Sequence, residues 1–245
     1  MAEGIILTIN GSQVHVEPEY LQWPLLRFLR EKLYLTGTKQ ACDSKGTCGL
    51  CKVIINGKAR ISCVRKMSSL DGAIIETIES LAVEDSTPHP LLQTVIQDGI
   101  FQCGYCAPAA ILSAKALLDE NLNPTDEEIE RAISGVLCRC AGLNRFNKAI
   151  KRTAAILRGE EASTWTAEDT ANEHMALEKL TGKLLYTNDL SFKDMLYAQA
   201  LRARMPHGRL KKVDVSRAET MPGIVKVLTS KDIPGENIFG LIDSD

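Results

Sequence analysis

Cys42, Cys48, Cys51 and Cys63 form one set of four cysteines, and Cys103, Cys106, Cys138 and Cys140 form a second. Thiolates are strong metal ligands, and four of them are what one [2Fe-2S] cluster takes. Two sets with no cysteine left over therefore predict two clusters, each complete in its own ligands. In the first set five residues separate Cys42 from Cys48, two separate Cys48 from Cys51, and eleven precede Cys63. The plant-type pattern has four residues in its first gap, so this is a variant, and the bacterial two-cluster run is absent. Gly46 and Gly49 lie within the loop, where glycine lets backbone N–H groups approach sulfur. Zinc is the alternative, because it also takes four thiolates, commonly in pairs two to four residues apart. The single residue between Cys138 and Cys140 and the three-plus-one grouping of the first set depart from that habit. Structural disulfides fit a reducing cytosol poorly. His15, His89, His174 and His207 form no ligand pair at helical spacing and read as ordinary loop or surface residues. No Walker motif, dinucleotide fingerprint or serine elbow is present.

The elements that must hold these thiols follow from periodicity. Ile5, Leu7 and Ile9 alternate with polar residues, Asn10-Gly11 turns the chain, and Val14 and Val16 follow, which is a hairpin signature. Pro24 precedes a helix to Leu33, carried by Leu25, Leu26 and Leu29. Lys52 to Ile55, the turn Asn56-Gly57 and Lys58 to Val64 predict a second hairpin, and Ala73 to Ile78 a last strand. Strands around one helix with a cysteine loop between them suggest a β-grasp ferredoxin module. After Leu81 the pattern becomes helical: one helix runs from Thr87 to a stop at Gly99, and the next is opened by Pro108. A third has a capping box at Thr125 and Glu128 and continues through Val136, and a fourth runs from Asn144 to Leu157. Cys103 and Cys106 precede the second helix, whose positive dipole end favours an anionic cluster. Cys138 and Cys140 leave the end of the third, so both loops meet at one pole. The stretch from Gly159 to Asn172 reads as a linker, and Tyr197 to Leu201 and Ile224 to Leu228 read as strands of a third segment.

The expected fold is thus α+β and multidomain. A ferredoxin-type β-grasp domain spans 1–80, an all-α four-helix cluster-binding domain 81–158, a linker 159–174, and an incomplete α/β segment 175–245. Modules of roughly 80 residues bury little apolar surface and gain from a metal staple. A net charge of -2 and a pI near 6.1 give no reason to expect nucleic acid or an anionic membrane as partner. No stretch reaches the apolar length of a membrane span and no leader pattern opens the chain, so a soluble cytoplasmic protein is expected.

Together, Gly37-Thr38-Lys39, the loop from Cys42 to Cys51, Gln102-Cys103-Gly104-Tyr105-Cys106 and Leu137-Cys138-Arg139-Cys140 resemble the iron-sulfur part of the molybdenum hydroxylases, the xanthine dehydrogenase and aldehyde oxidoreductase family. Gly182 to Asp189, Met195 to Ala198 and Met221 to Val225 are similar to the beginning of that family's molybdenum-binding portion, its hammerhead domain. The resemblance implies that electrons leave a molybdopterin centre through the Cys103, Cys106, Cys138 and Cys140 cluster and then the Cys42, Cys48, Cys51 and Cys63 cluster. It also implies that Gln102 and Cys140 contact the pterin, a loop hydrogen bond being the alternative role of Gln102. Departures are Ala107-Pro108-Ala109 and Ala141-Gly142-Leu143, where the family usually carries Thr-Pro-Gly and Thr-Gly-Tyr. The resemblance places the catalytic pocket outside these residues and leaves no room for an inserted flavin domain. The partners it implies are a molybdenum-binding subunit or the remainder of the same enzyme, with a flavin subunit or a ferredoxin or flavodoxin as acceptor. An independent [2Fe-2S] carrier and a zinc-stapled interaction protein are the competing functions.

Overall fold

The computed structural model describes residues 4–81, 87–140, 145–166, 168–169 and 173–235, in two compact units, Met1–Phe192 and Lys193–Asp245. In the first unit β1 (Ile5–Ile9) and β2 (Ser12–Val16) form the expected hairpin, turning at Asn10 (φ 49°) and Gly11 (φ 80°). β3 (Lys52–Ile55) and β4 (Lys58–Ile61) turn in the same way at Asn56 (φ 49°) and Gly57 (φ 77°). Asparagine and glycine tolerate this left-handed pair, which matches the twist of the strands it joins. β5 (Ile74–Glu76) lies parallel to β1 and antiparallel to β3, and the sheet order is β2-β1-β5-β3-β4. Helix α1 (Leu25–Arg27) starts after Pro24 and continues as a π-helical turn, Phe28–Lys32. Its buried Leu25, Phe28 and Leu29 share a core with Leu7, Ile9 and Val53. The neighbouring Ile54 points to the opposite face and belongs to the core of the helices that follow. β3 is therefore covered on both sides, which is why it reads as an apolar run without alternation.

Four helices follow, α2 (Pro90–Gln97), α3 (Ala107–Glu120), α4 (Asp126–Ile133) and α5 (Phe146–Leu157). The expected start of the fourth at Asn144 lies outside the described residues. Alanines 107, 109, 110 and 114 are buried along α3, and their small side chains let it lie close to β3 and α4. Leu91, Leu92, Ile111 and Ile129 fill the same core, each contributing about 1.5–3 kcal/mol by leaving water. The Thr125–Glu128 capping box has both halves, at 3.2 and 2.8 Å. Helix α4 ends at Ile133, not at Val136: Ser134 is extended (ψ 151°) and Gly135 is left-handed (φ 76°), so Val136 is buried beyond the helix.

The described linker residues lie against α2 and α5. Arg152 reaches Glu161 at 2.9 Å and Asp98 at 3.2 Å, Ser163 donates to Gln93, and Trp165 packs on the helical core. Helix α6 (His174–Thr181) packs on α2 and buries Leu180, and the first compact unit continues to Phe192. In the second unit the described residues hold a short helix, α7 (Ser216–Glu219), and no strand. The strands expected at Tyr197 to Leu201 and Ile224 to Leu228 are absent, with Tyr197 87% and Leu201 102% exposed. A strand needs a neighbour for its N–H and C=O groups, and the described residues of this unit supply none. Among the described residues no helix is long and apolar enough to cross a membrane.

Candidate metal centres

The first thiol site is built by a loop between α1 and β3 and by the end of β4. Asp43 (φ 49°), Ser44 (φ 61°), Gly46 (φ 74°) and Gly49 (φ 68°) all take left-handed backbone, which curls the loop, and the N–H groups of Gly46, Thr47 and Cys48 reach the Cys63 and Cys42 thiols. Hydrogen bonds from the backbone of Cys48 and Thr47 hold the Cys42 thiol down at about 6. Burial pushes the Cys63 thiol up to about 12, reinforced by the Cys51 sulfur beside it and opposed by the Gly46 N–H. Ser62 locks that pair, since its N–H and its hydroxyl both donate to the Cys51 carbonyl at 3.0 and 2.7 Å. Cys51, Cys63 and Leu26 form a small buried cluster. The site therefore combines a dry interior with a rim of donors, an environment that stabilises an anionic sulfur cage.

The second thiol site lies where α3 begins and where the chain leaves α4. Cys106 is the N-cap residue of α3, buried, with its thiol pushed up to about 12 by burial and then by the adjacent Cys138. Cys103 and Cys140 are exposed, and their sulfurs are 3.6 Å apart. The Gln102 side-chain amide donates to the Cys140 carbonyl at 3.4 Å, so the two residues singled out for a pterin contact are neighbours.

Among the described residues no disulfide joins any of the eight cysteines. Within each set the thiols lie nearest in twos, Cys42 by Cys48 and Cys51 by Cys63, then Cys103 by Cys140 at 3.6 Å and Cys106 by Cys138, while Cys42 also acts on Cys63 and Cys103 on Cys106. A tetrahedral metal with bonds of about 2.3 Å holds its sulfurs about 3.8 Å apart. One zinc would draw all four thiols of a set to that spacing. Two pairs suit two irons, so the donor set fits a [2Fe-2S] cluster at each site. His89 caps α2, accepting from the Leu91 N–H at 3.1 Å.

The two sites are joined directly. The Leu137 N–H, one residue before Cys138, donates to the Cys48 carbonyl at 2.8 Å. Gly49 makes this approach possible: a Cβ there would sit 1.8 Å from the Gly135 oxygen. Lys52 reaches the last carbonyls of α4, Ala132 at 3.3 Å and Ser134 at 3.4 Å. Gly135 escaped the sequence reasoning, although a glycine two residues past a helix end is a recognisable stop signal, and Leu137 entered it only as a letter of the family motif. Lys39, Tyr186 and Asp189 were visible only as unassigned letters of the family motifs. Lys39 is fully buried, and a buried lysine just before a cysteine loop is the trace they left.

These features define a chain that carries two successive [2Fe-2S]-binding domains. Residues 7–73 match the 2Fe-2S iron-sulfur cluster binding domain, 77–151 the [2Fe-2S] binding domain, and 181–245 the a/b hammerhead domain of aldehyde oxidase and xanthine dehydrogenase. The aldehyde oxidoreductase of Megalodesulfovibrio gigas is 36% identical over 97% of the chain, and the chain covers 28% of that protein. The nicotinate dehydrogenase small FeS subunit of Eubacterium barkeri is 47% identical over 60% of the chain, which covers 92% of it. The crystal structure of the aldehyde oxidoreductase from Desulfovibrio desulfuricans superposes with a TM-score of 0.80 at 34% identity, over 97% of this chain and 28% of that one. The chain belongs to the molybdenum hydroxylase family and carries its iron-sulfur electron-transfer portion, followed by hammerhead sequence.

Proposed function

We propose that this chain carries electrons from a molybdopterin centre, held by a partner subunit or by the remainder of the same enzyme, to an external acceptor. Cys103, Cys106, Cys138 and Cys140 hold the cluster nearer molybdenum, and Cys42, Cys48, Cys51 and Cys63 hold the outer one. When bound, each cluster takes up and releases one electron at a time. The chain's own work is to hold each pair of sulfurs, exclude water from Cys51, Cys63 and Cys106, and keep the two loops in contact. The observation that carries the reading is the Leu137 N–H bond to the Cys48 carbonyl, which ties a peptide next to one thiol set to a ligand residue of the other. Gln102 and the neighbouring Cys140 offer an exposed edge at which a pterin amine or carbonyl could be received, and they are the proposed contacts to it.

The proposed division is the ferredoxin-type domain at 1–80, the four-helix domain at 81–158, a linker at 159–174 and hammerhead sequence from 175 onward. Exposed Leu196, Tyr197, Leu201, Leu210, Val225 and Leu228 support a further polypeptide surface that covers the last of these, because apolar surface on that scale marks an interface. Eight reduced thiols fit a cytoplasmic setting. Co-purification under anaerobic conditions tests the reading. A molybdenum-containing polypeptide should accompany the chain and reduce its clusters when given an aldehyde, purine or N-heterocycle. Clusters that load without any such companion and accept electrons from none would favour an independent carrier.

A further inference from the structure

The segment from Gly182 to Phe192 contributes no thiol, yet it closes on both cysteine loops. Asp189 receives the Lys39 ammonium at 2.6 Å and the Arg30 guanidinium at 2.6 Å. The Lys39 and Asp189 side chains are both fully buried. Arg30 also donates to the carbonyls of Thr36 and Thr38, at 3.0 and 2.9 Å, and the Thr36 hydroxyl donates to the Gly182 carbonyl at 2.9 Å. All of these groups lie at the base of the loop that leads to Cys42. On its other side the segment reaches the second set: the Tyr186 hydroxyl donates to the Cys103 carbonyl at 2.6 Å. Asn188 donates to the Tyr105 hydroxyl at 2.6 Å, and that hydroxyl donates to the Gln40 carbonyl at 2.7 Å. The rings of Tyr105 and Tyr186 meet edge to face at 5.0 Å, and the Lys39 ammonium lies 4.7 Å from the Tyr186 ring centre.

A lysine with no exposed surface cannot stay charged without its carboxylate. The segment therefore cannot leave without stranding Lys39, and its docking holds Tyr186 against Cys103. We infer that Asp189 and Tyr186 are positioning residues for the second thiol site: Asp189 locks the segment onto the base of the first loop, and Tyr186 neutralises the Cys103 carbonyl. This rests on the cluster reading. A hydroxyl that donates to the carbonyl of a ligand residue draws electron density from that residue's peptide, which favours the added electron. Without the Tyr186 hydroxyl the cluster on Cys103, Cys106, Cys138 and Cys140 becomes harder to reduce, while the outer cluster is unaffected.

The test uses the full chain with clusters loaded, as wild type and as the Tyr186→Phe, Asp189→Asn and Asp214→Asn variants, the last changing an exposed carboxylate paired with Lys212. Redox titration followed by EPR reads each cluster separately. Tyr186→Phe should shift the reduction equilibrium of the second cluster about tenfold, roughly 59 mV downward for a one-electron couple, and leave the first unchanged. Asp189→Asn should shift it in the same direction and speed tryptic cleavage between Lys183 and Leu184, read by mass spectrometry. Asp214→Asn should do neither. Unchanged potentials in Tyr186→Phe, or equal shifts of both clusters, would overturn the assignment. If the wild-type chain took up no iron, the cluster reading would fail by itself. The cleavage measurement would still decide the positioning role, which unchanged protection in Asp189→Asn would refute.

Discussion

Substituting Gly49 by alanine tests the contact that joins the two cysteine loops. The added Cβ would lie 1.8 Å from the Gly135 oxygen and 2.8 Å from its carbonyl carbon. Both are backbone atoms that no rotamer change can move aside, so the loops must separate by over about 1 Å to restore ordinary contact. Gly49 also sits at φ 68°, where any residue with a Cβ is strained by about 1–2 kcal/mol. Losing the Leu137 bond to the Cys48 carbonyl adds about 1 kcal/mol. Gly57 is the control: at φ 77° it has the same strain, but a Cβ there meets nothing within 4 Å. The expected losses are about 3 kcal/mol for Gly49→Ala and about 1–2 kcal/mol for Gly57→Ala. At about 2–4 °C per kcal/mol for a chain of this size, Gly49→Ala should melt about 10 °C lower and Gly57→Ala about half as far. Thermal unfolding of the loaded chain reads the first effect. Hydrogen exchange of a peptide containing Leu137, followed by mass spectrometry, reads the second and should speed up only in Gly49→Ala. Equal melting shifts for the two variants, with Leu137 equally protected in both, would refute the reasoning.

Burial would lift the Asp189 carboxyl, but Lys39, the Tyr186 N–H and Arg30 outweigh it and hold it below the usual carboxylate range. A depressed carboxylate gives stability that is complete above its unfolded value of about 3.9 and is lost as pH falls through the lower folded value. Exchange protection of the Tyr186 amide, bonded to Asp189 at 2.9 Å, should therefore hold at neutral pH and fall in acid; a flat profile down to about pH 2 would contradict it. Replacing Cys106 by alanine removes one thiol of the second set alone, so iron per chain should halve and one of two EPR signals vanish; loss of both would deny the sets their independence. Thr125→Ala deletes half of an exposed capping box and should cost about 1 kcal/mol by denaturant unfolding, with both clusters intact.

Local chemistry made much of this architecture legible. Asn10-Gly11 and Asn56-Gly57 specify left-handed turns by residue type, and the four helices are marked by Pro, a capping box and apolar spacing. What escaped depends on distant partners. Four cysteines allow three pairings, and nothing in the spacing says that Cys103 pairs with Cys140 rather than with Cys106. Lys39 and Asp189 are 150 residues apart, so no local pattern could join them. Tyr197 to Leu201 has strand composition, but a strand also requires a ladder partner, which propensity does not encode. Helix α4 stops early because Gly135 turns left-handed to bring Leu137 against Cys48, a demand set by the neighbouring loop.

Metal analysis of the anaerobically prepared chain, combined with low-temperature EPR of its dithionite-reduced form, bears most directly on the central claim. Two paired-thiol sites predict about four irons and four acid-labile sulfides per chain, with two distinguishable one-electron signals. One zinc per cysteine set, with no iron and no signal on reduction, would contradict it.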